Sequence, residues 1–159
     1  MMPKRVCLLL SLSGLLLLSG IPAQAQRQTY TSATDARFFF SHPKFKTALR
    51  KLSSVKTVSS KKVGFGGTPG EFYILSKECL AYGKETDFIA LSDDDNPVMR
   101  AMGLVCLAQL DDERYRGLLN SHLDDREEAV LAVGCIIGRV TIGEIVKRLI
   151  ENPNFLEQE

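Results

Sequence analysis

The sequence predicts an all-α protein, a short α-solenoid of stacked antiparallel helix pairs behind a basic N-terminal helix and linker arm. Helix-start signals recur from Thr68 onward, and two segments are apolar on every side rather than along one stripe. Acidic turns at residues 93–95 and 124–125, with a degenerate one at 151–153, return at a spacing of 27 to 32 residues. The composition agrees with one globular domain: 159 residues, 45% hydrophobic and 25% charged, exclude collagen-like, mucin-like and low-complexity chains.

Residues 1–25 have the order of a secretory leader. Lys4 and Arg5 precede the apolar run Leu8 to Leu18, Pro22 breaks it, and Ala23-Gln24-Ala25 is a small-x-small cleavage signal. Cleavage between Ala25 and Gln26 is expected, with export to the periplasm or the extracellular space. The run is about half the roughly 20 residues a bilayer crossing needs, so no membrane span is expected after cleavage. No cysteine stands at the end of the run, and a lipoprotein anchor is not indicated.

Residues 26–67 form a basic arm. Phe38, Phe39 and Phe40 are too apolar to remain in water and require a folded cover. Pro43 opens a helix, since its missing N–H is not needed in the first turn. Phe45, Ala48, Leu49 and Leu52 share one face of it, and Lys44, Lys46, Arg50 and Lys51 take the rest. Such a helix packs on the body of the protein or lies on an anionic membrane surface. The stretch 53–67 is rich in Ser, Lys and Gly and predicts a linker, at best a small hairpin around Ser59 and Ser60. Gly64-Phe65-Gly66-Gly67 is not a phosphate loop, because no Lys-Ser/Thr pair follows.

Residues 68–159 predict helices throughout. Thr68-Pro69-Gly70-Glu71 is a capping sequence for a helix ending at Tyr82, with Gly83 as its stop. A short helix spans 85–92, and the acidic turn with Asn96 and Pro97 opens the next, from 97 to 109. Asp111 or Asp112 caps a helix through Ser121, and Asp124-Asp125 opens one whose core, 129–138, has no polar residue. Thr141-Ile142-Gly143-Glu144 is a second capping box, for a helix ending near Glu151.

After its acidic turn the third of these helices reads Pro97-x-Met99-Arg100-x-x-Gly103-x-x-Cys106-Leu107. This resembles the second-helix pattern of the HEAT and HEAT-like repeats. A copy shifted by 31 residues places Val130, Val133, Gly134 and Ile137 at matching positions, with Leu131 in place of the arginine. The resemblance covers Thr68 to Phe155 and implies small residues where helices approach closely, an Arg100 paired with a turn aspartate, and a surface for protein partners.

Chemistry-bearing constellations are missing from the sequence. His42 and His122 are the only histidines, which excludes a His-Glu-x-x-His zinc site, and no Gly-x-Ser-x-Gly elbow occurs. Asp93-Asp94-Asp95 lacks the glycine and terminal glutamate of a calcium loop, and helix capping explains it. No enzymatic activity, metal or cofactor is expected. Cys79, Cys106 and Cys135 read as small buried residues, with Cys106–Cys135 the pair to form a disulfide if one exists.

Charge divides the chain. Residues 26–70 carry nine bases against Asp35, a net of +8, and residues 71–159 carry nine bases against eighteen acids, a net of −9. The basic arm therefore docks on its own acidic body or on an anionic partner. The leading expectation is an exported, non-enzymatic protein-interaction module whose exposed Arg114, Arg116, Lys147 and Arg148 contact an unidentified protein. The alternative is an electrostatic tether to anionic lipid or glycan through segment 37–62, with Lys44, Lys46, Arg50, Lys51, Lys61 and Lys62 as its contacts. No nucleic-acid partner is expected.

Overall fold

The computed structural model describes residues 37–157. The leader, its Ala25–Gln26 cleavage position and the polar stretch before Arg37 lie outside them. The element order is α1 (Pro43–Leu52), β1 (Thr57–Val63), α2 (Glu71–Tyr82), α3 (Glu85–Ser92), α4 (Pro97–Ser121), β2 (Glu128–Gly134), β3 (Ile136–Thr141) and α5 (Ile142–Glu151), closed by a 3-10 turn at Phe155–Glu157. The molecule is therefore α/β. Its three-stranded sheet has the order β1-β2-β3, with β1 parallel to β2 and β2 antiparallel to β3.

The sheet corrects the all-α solenoid expected from the sequence. The repeat copy at Val130 to Ile137 falls on strands, not on a second buried helix. Val130, Val133, Ile136, Ile137 and Val140 are β-branched and lose little on a pleated surface, whereas in a helix each is crowded against the preceding turn. Gly134, at φ 57°, makes the turn between the two strands in a left-handed conformation that a side chain would resist. Ala129 and Leu131 join the core while Glu128 between strand and loop stays exposed. A ten-residue apolar run fits a strand pair and a buried helix alike, and the partner strand lies about seventy residues away in Thr57–Val63.

That partner is the second correction. Segment 57–63 is an ordered strand, not a linker, and Val58, Ser59 and Ser60 are buried. Parallel strands need a long crossover, supplied here by α2, α3 and α4. The strand also starts α2. Ser59 Oγ accepts a hydrogen bond from Phe72 N (3.2 Å), and Gly70 N donates to Ser60 O (3.0 Å). The helix cap is thus borrowed from β1. Thr68, expected to cap this helix, instead bridges to Val63, whose N–H donates to Thr68 O (2.9 Å).

Other helix boundaries follow local chemistry. Asn96 Oδ1 accepts from Val98 N (2.9 Å) and Met99 N (3.4 Å) at the start of α4. Thr141 and Glu144 form the reciprocal capping box of α5, with Glu144 N donating to Thr141 Oγ1 (3.2 Å) and Thr141 N to Glu144 Oε2 (2.9 Å). At Asp111 the backbone of α4 is extended (φ −166°, ψ 97°), and Asp111 Oδ1 accepts from Arg114 N (3.1 Å). The acidic residue restarts the helix, as its position predicts.

The first half of α4 is the centre of the core. Met99, Ala101, Met102 and the run Leu104 to Leu107 are fully buried, with α2, α3 and α5 around them and β1 and β2 alongside. Gly103 sets the distance to α3: a Cβ there would lie 2.5 Å from Ser92 N and 2.7 Å from Phe88 O. Both are backbone atoms and cannot rotate away. Gly103→Ala should therefore lose about 2 kcal/mol of stability by overpacking, despite roughly 1 kcal/mol of better helix propensity. Urea unfolding checks this, and a variant with a raised midpoint would show the approach to be looser than described.

Candidate functional site

The solvent face of α1 is the most strongly one-signed surface that the sequence led us to expect. Phe45, Ala48, Leu49 and Leu52 are buried, chiefly against α2, which turns Lys44, Lys46, Arg50 and Lys51 outward. His42 caps the helix, its Nδ1 accepting from Lys44 N (3.2 Å), and its ring stacks on Tyr82 at 5.0 Å between centroids. Lys44 Nζ donates to Tyr82 Oη (2.9 Å) and lies 4.6 Å from the ring centroid. The hydrogen bond to Tyr82 holds its ammonium pKa above the usual lysine value. Lys44, Thr47, Glu78 and Tyr82 line a shallow recess of about 330 Å³. Lys46 Nζ donates to Phe39 O (3.4 Å), and Lys51 and Lys61 are exposed, with Lys62 half-buried on β1.

Two residues beside this face were expected to be covered and are not. Phe38 turns inward and packs edge-on against Phe45, with centroids 5.7 Å apart. Phe39 and Phe40 remain 67% and 90% exposed, and contact each other edge-to-face at 5.1 Å. Three consecutive aromatic residues cannot all face one core in a tight turn, and the core takes Phe38. Ser41 then anchors the turn, its Oγ donating to the buried Asp87 Oδ1 (2.6 Å).

The other expected contact residues are not gathered into one site. Arg114 is paired with Glu85 (2.8 Å) and lies 5.2 Å from the Tyr115 ring, and Arg116 pairs with Glu113 (3.1 Å). Lys147 and Arg148 are exposed on α5 and border a recess of about 360 Å³ with Glu144 and Glu151, to which neither Arg114 nor Arg116 contributes. A larger cleft of about 560 Å³ lies where Lys56, Asp95, Asn96 and Glu128 meet Arg139. Arg139 pairs with Glu128 there (3.2 Å), and no histidine or cysteine lines the cleft. Among the described residues no group of three or more His, Cys, Asp or Glu is arranged to hold a metal ion.

Arg100 pairs internally, as the turn pattern implies. Its Nη1 donates to Asp125 Oδ2 (2.5 Å) and its Nε to Asp94 O (2.8 Å), while Asp94 also receives Arg37 Nη1 (3.0 Å). Both partners of the Arg100–Asp125 pair are largely shielded from water, so the two acidic turns are tied together at one end of α4. His122 stands 3.9 Å from Asp125 and 3.9 Å from Asp93.

All three described cysteines are free thiols, and the Cys106–Cys135 bridge is not formed. Burial pushes the Cys79 pKa up to about 12 and that of Cys106 well above its ordinary value. Cys135, expected to be buried, is exposed in the β2–β3 turn. No protein-family model and no curated protein matches the chain. What the surface does must be argued from its residues.

The Arg100–Asp125 pair should couple by about 1–2 kcal/mol in a double-mutant cycle of Arg100→Ala and Asp125→Ala, because hydrogen bonds to charged groups in partly buried sites have that strength. Additive single and double losses would reduce the pair to a bystander. In the folded protein an aromatic disulfide reagent should titrate Cys135 rapidly, and Cys79 and Cys106 only after denaturant is added. Rapid reaction of two or more described thiols without denaturant would contradict the burial of α2 and α4.

Proposed function

We propose that the protein is a non-enzymatic docking module, held on an anionic surface by its basic segment 37–62, in the exported compartment its leader predicts. One observation supports the reading above the rest. Four cations, Lys44, Lys46, Arg50 and Lys51, occupy the solvent side of a helix that contains no acid, and Lys44 and Lys46 bond uncharged oxygens instead of carboxylates. Docking of the whole arm on the acidic body would have paired Lys44 and Lys46 with carboxylates. Arg37 of the arm does pair with an acid of that body, Asp94.

A protein partner held by Arg114, Arg116, Lys147 and Arg148 has less support. Glu85 and Glu113 already engage the two arginines, and the stacked-repeat surface that motivated the reading is replaced by a sheet.

Attachment through exposed lysines should weaken steeply with salt, since the screening length falls from about 10 Å at 0.1 M to about 3 Å at 1 M. Each lysine near an anionic surface contributes roughly 1 kcal/mol, so the triple variant Lys44→Glu, Lys51→Glu, Lys61→Glu should lose about a hundredfold or more in affinity. Sedimentation with phosphatidylglycerol vesicles and retention on a sulfated polysaccharide resin measure both effects. Failure of the wild-type protein to bind either at low salt refutes the tether.

A further inference from the structure

We infer that the anionic surface is a lipid bilayer, with Phe39 and Phe40 entering the headgroup–acyl boundary while Lys44, Lys46 and Lys51 lie among the headgroups. The inference rests on the tether reading and names its partner. Its independent observation is the aromatic pair. Phe39 and Phe40 stand 67% and 90% exposed immediately before α1, and Lys46 Nζ lies 5.9 Å from the Phe39 ring centroid. Phe39 and Lys46 thus belong to one continuous surface.

The fold leaves these rings no place inside. Phe38 fills the position against Phe45, Phe45 meets Phe88 at 6.0 Å, and the Ser41–Asp87 hydrogen bond fixes where the turn ends. The apolar side of α1 is itself spent on the core, so the helix cannot lie down into a bilayer. At this turn Phe39 and Phe40 are the side chains that can penetrate, which sets a shallow, reversible attachment. No helix among the described residues is long and apolar enough to cross a membrane.

Charge and apolarity together select the occupant. A sulfated or carboxylated glycan attracts the lysines but offers no hydrocarbon to two phenyl rings. A bilayer rich in anionic lipid rewards both, at the depth separation that lysine side chains accommodate by laying their methylene stems along the apolar zone and their ammonium groups at the phosphates. Glu78 of α2 shares the recess with Lys44.

The sequence contains no tryptophan, so Phe40→Trp in the processed, leader-free protein is a single fluorescent reporter. Mixed with phosphatidylglycerol/phosphatidylcholine vesicles, it should shift its emission to the blue and be quenched by lipids brominated near the top of the acyl chain. Phe39→Ser with Phe40→Ser should weaken vesicle binding by roughly tenfold or more, on the scale of two exposed aromatic side chains losing their apolar contact. The same pair of substitutions should leave retention on the sulfated polysaccharide unchanged, and circular dichroism should report an unaltered fold, because neither ring is in the core. Salt-sensitive vesicle binding with no blue shift and no effect of the serine variants overturns the insertion and leaves the tether standing. Absence of binding to vesicles and polysaccharide alike overturns both.

Discussion

The first half of α4 has no side left for water. From Met99 to Leu107 almost every side chain is fully enclosed, so the rest of the molecule is arranged around the need to cover a helix on all its faces. Gly103 lets α3 approach on one side until backbone meets backbone. The sheet supplies cover on another, and α2 and α5 supply the remainder. The crossover from β1 to β2 therefore encloses α4 as a matter of packing.

Polar groups are placed where that enclosure ends. Arg100 is the one cation in the buried half of α4, and it reaches out to Asp125 and the carbonyl of Asp94, joining the turns before and after the helix. Ser59 works in the same way on the opposite boundary, giving α2 the cap that its own leading residues do not provide. In both places a buried backbone or charged group finds its partner on an element distant in sequence. The cost of leaving such groups unpaired is what makes these contacts specific.

The surface proposed to carry function is a residue of the same packing. Once Phe38 and the apolar face of α1 are committed to the core, the basic face must point outward, and Phe39 and Phe40 follow the turn into solvent. The lysines were legible as a charge run on a helix with a clear apolar stripe. The exposed aromatic pair was not, because three identical residues in a row do not say which of them the core will accept. Likewise Arg114 and Arg116 were visible as exposed charges, while their engagement by Glu85 and Glu113 depends on side-chain geometry across helices and turns.

Local chemistry by itself determined most helix positions: Pro43 has no first-turn N–H to satisfy, and Asn96, Asp111 and the Thr141–Glu144 box each satisfy backbone groups within a few residues of themselves. It determined the division of charge and the absence of histidine- or cysteine-rich motifs in the same direct way. Tertiary structure decided whether Thr57–Val63 and Glu128–Thr141 would be strands, because a strand is stable only with a partner, and β1 and β2 find each other across the whole span of α2 to α4. An apolar run of ten residues satisfies helix and strand equally until that distant edge is present to accept its hydrogen bonds.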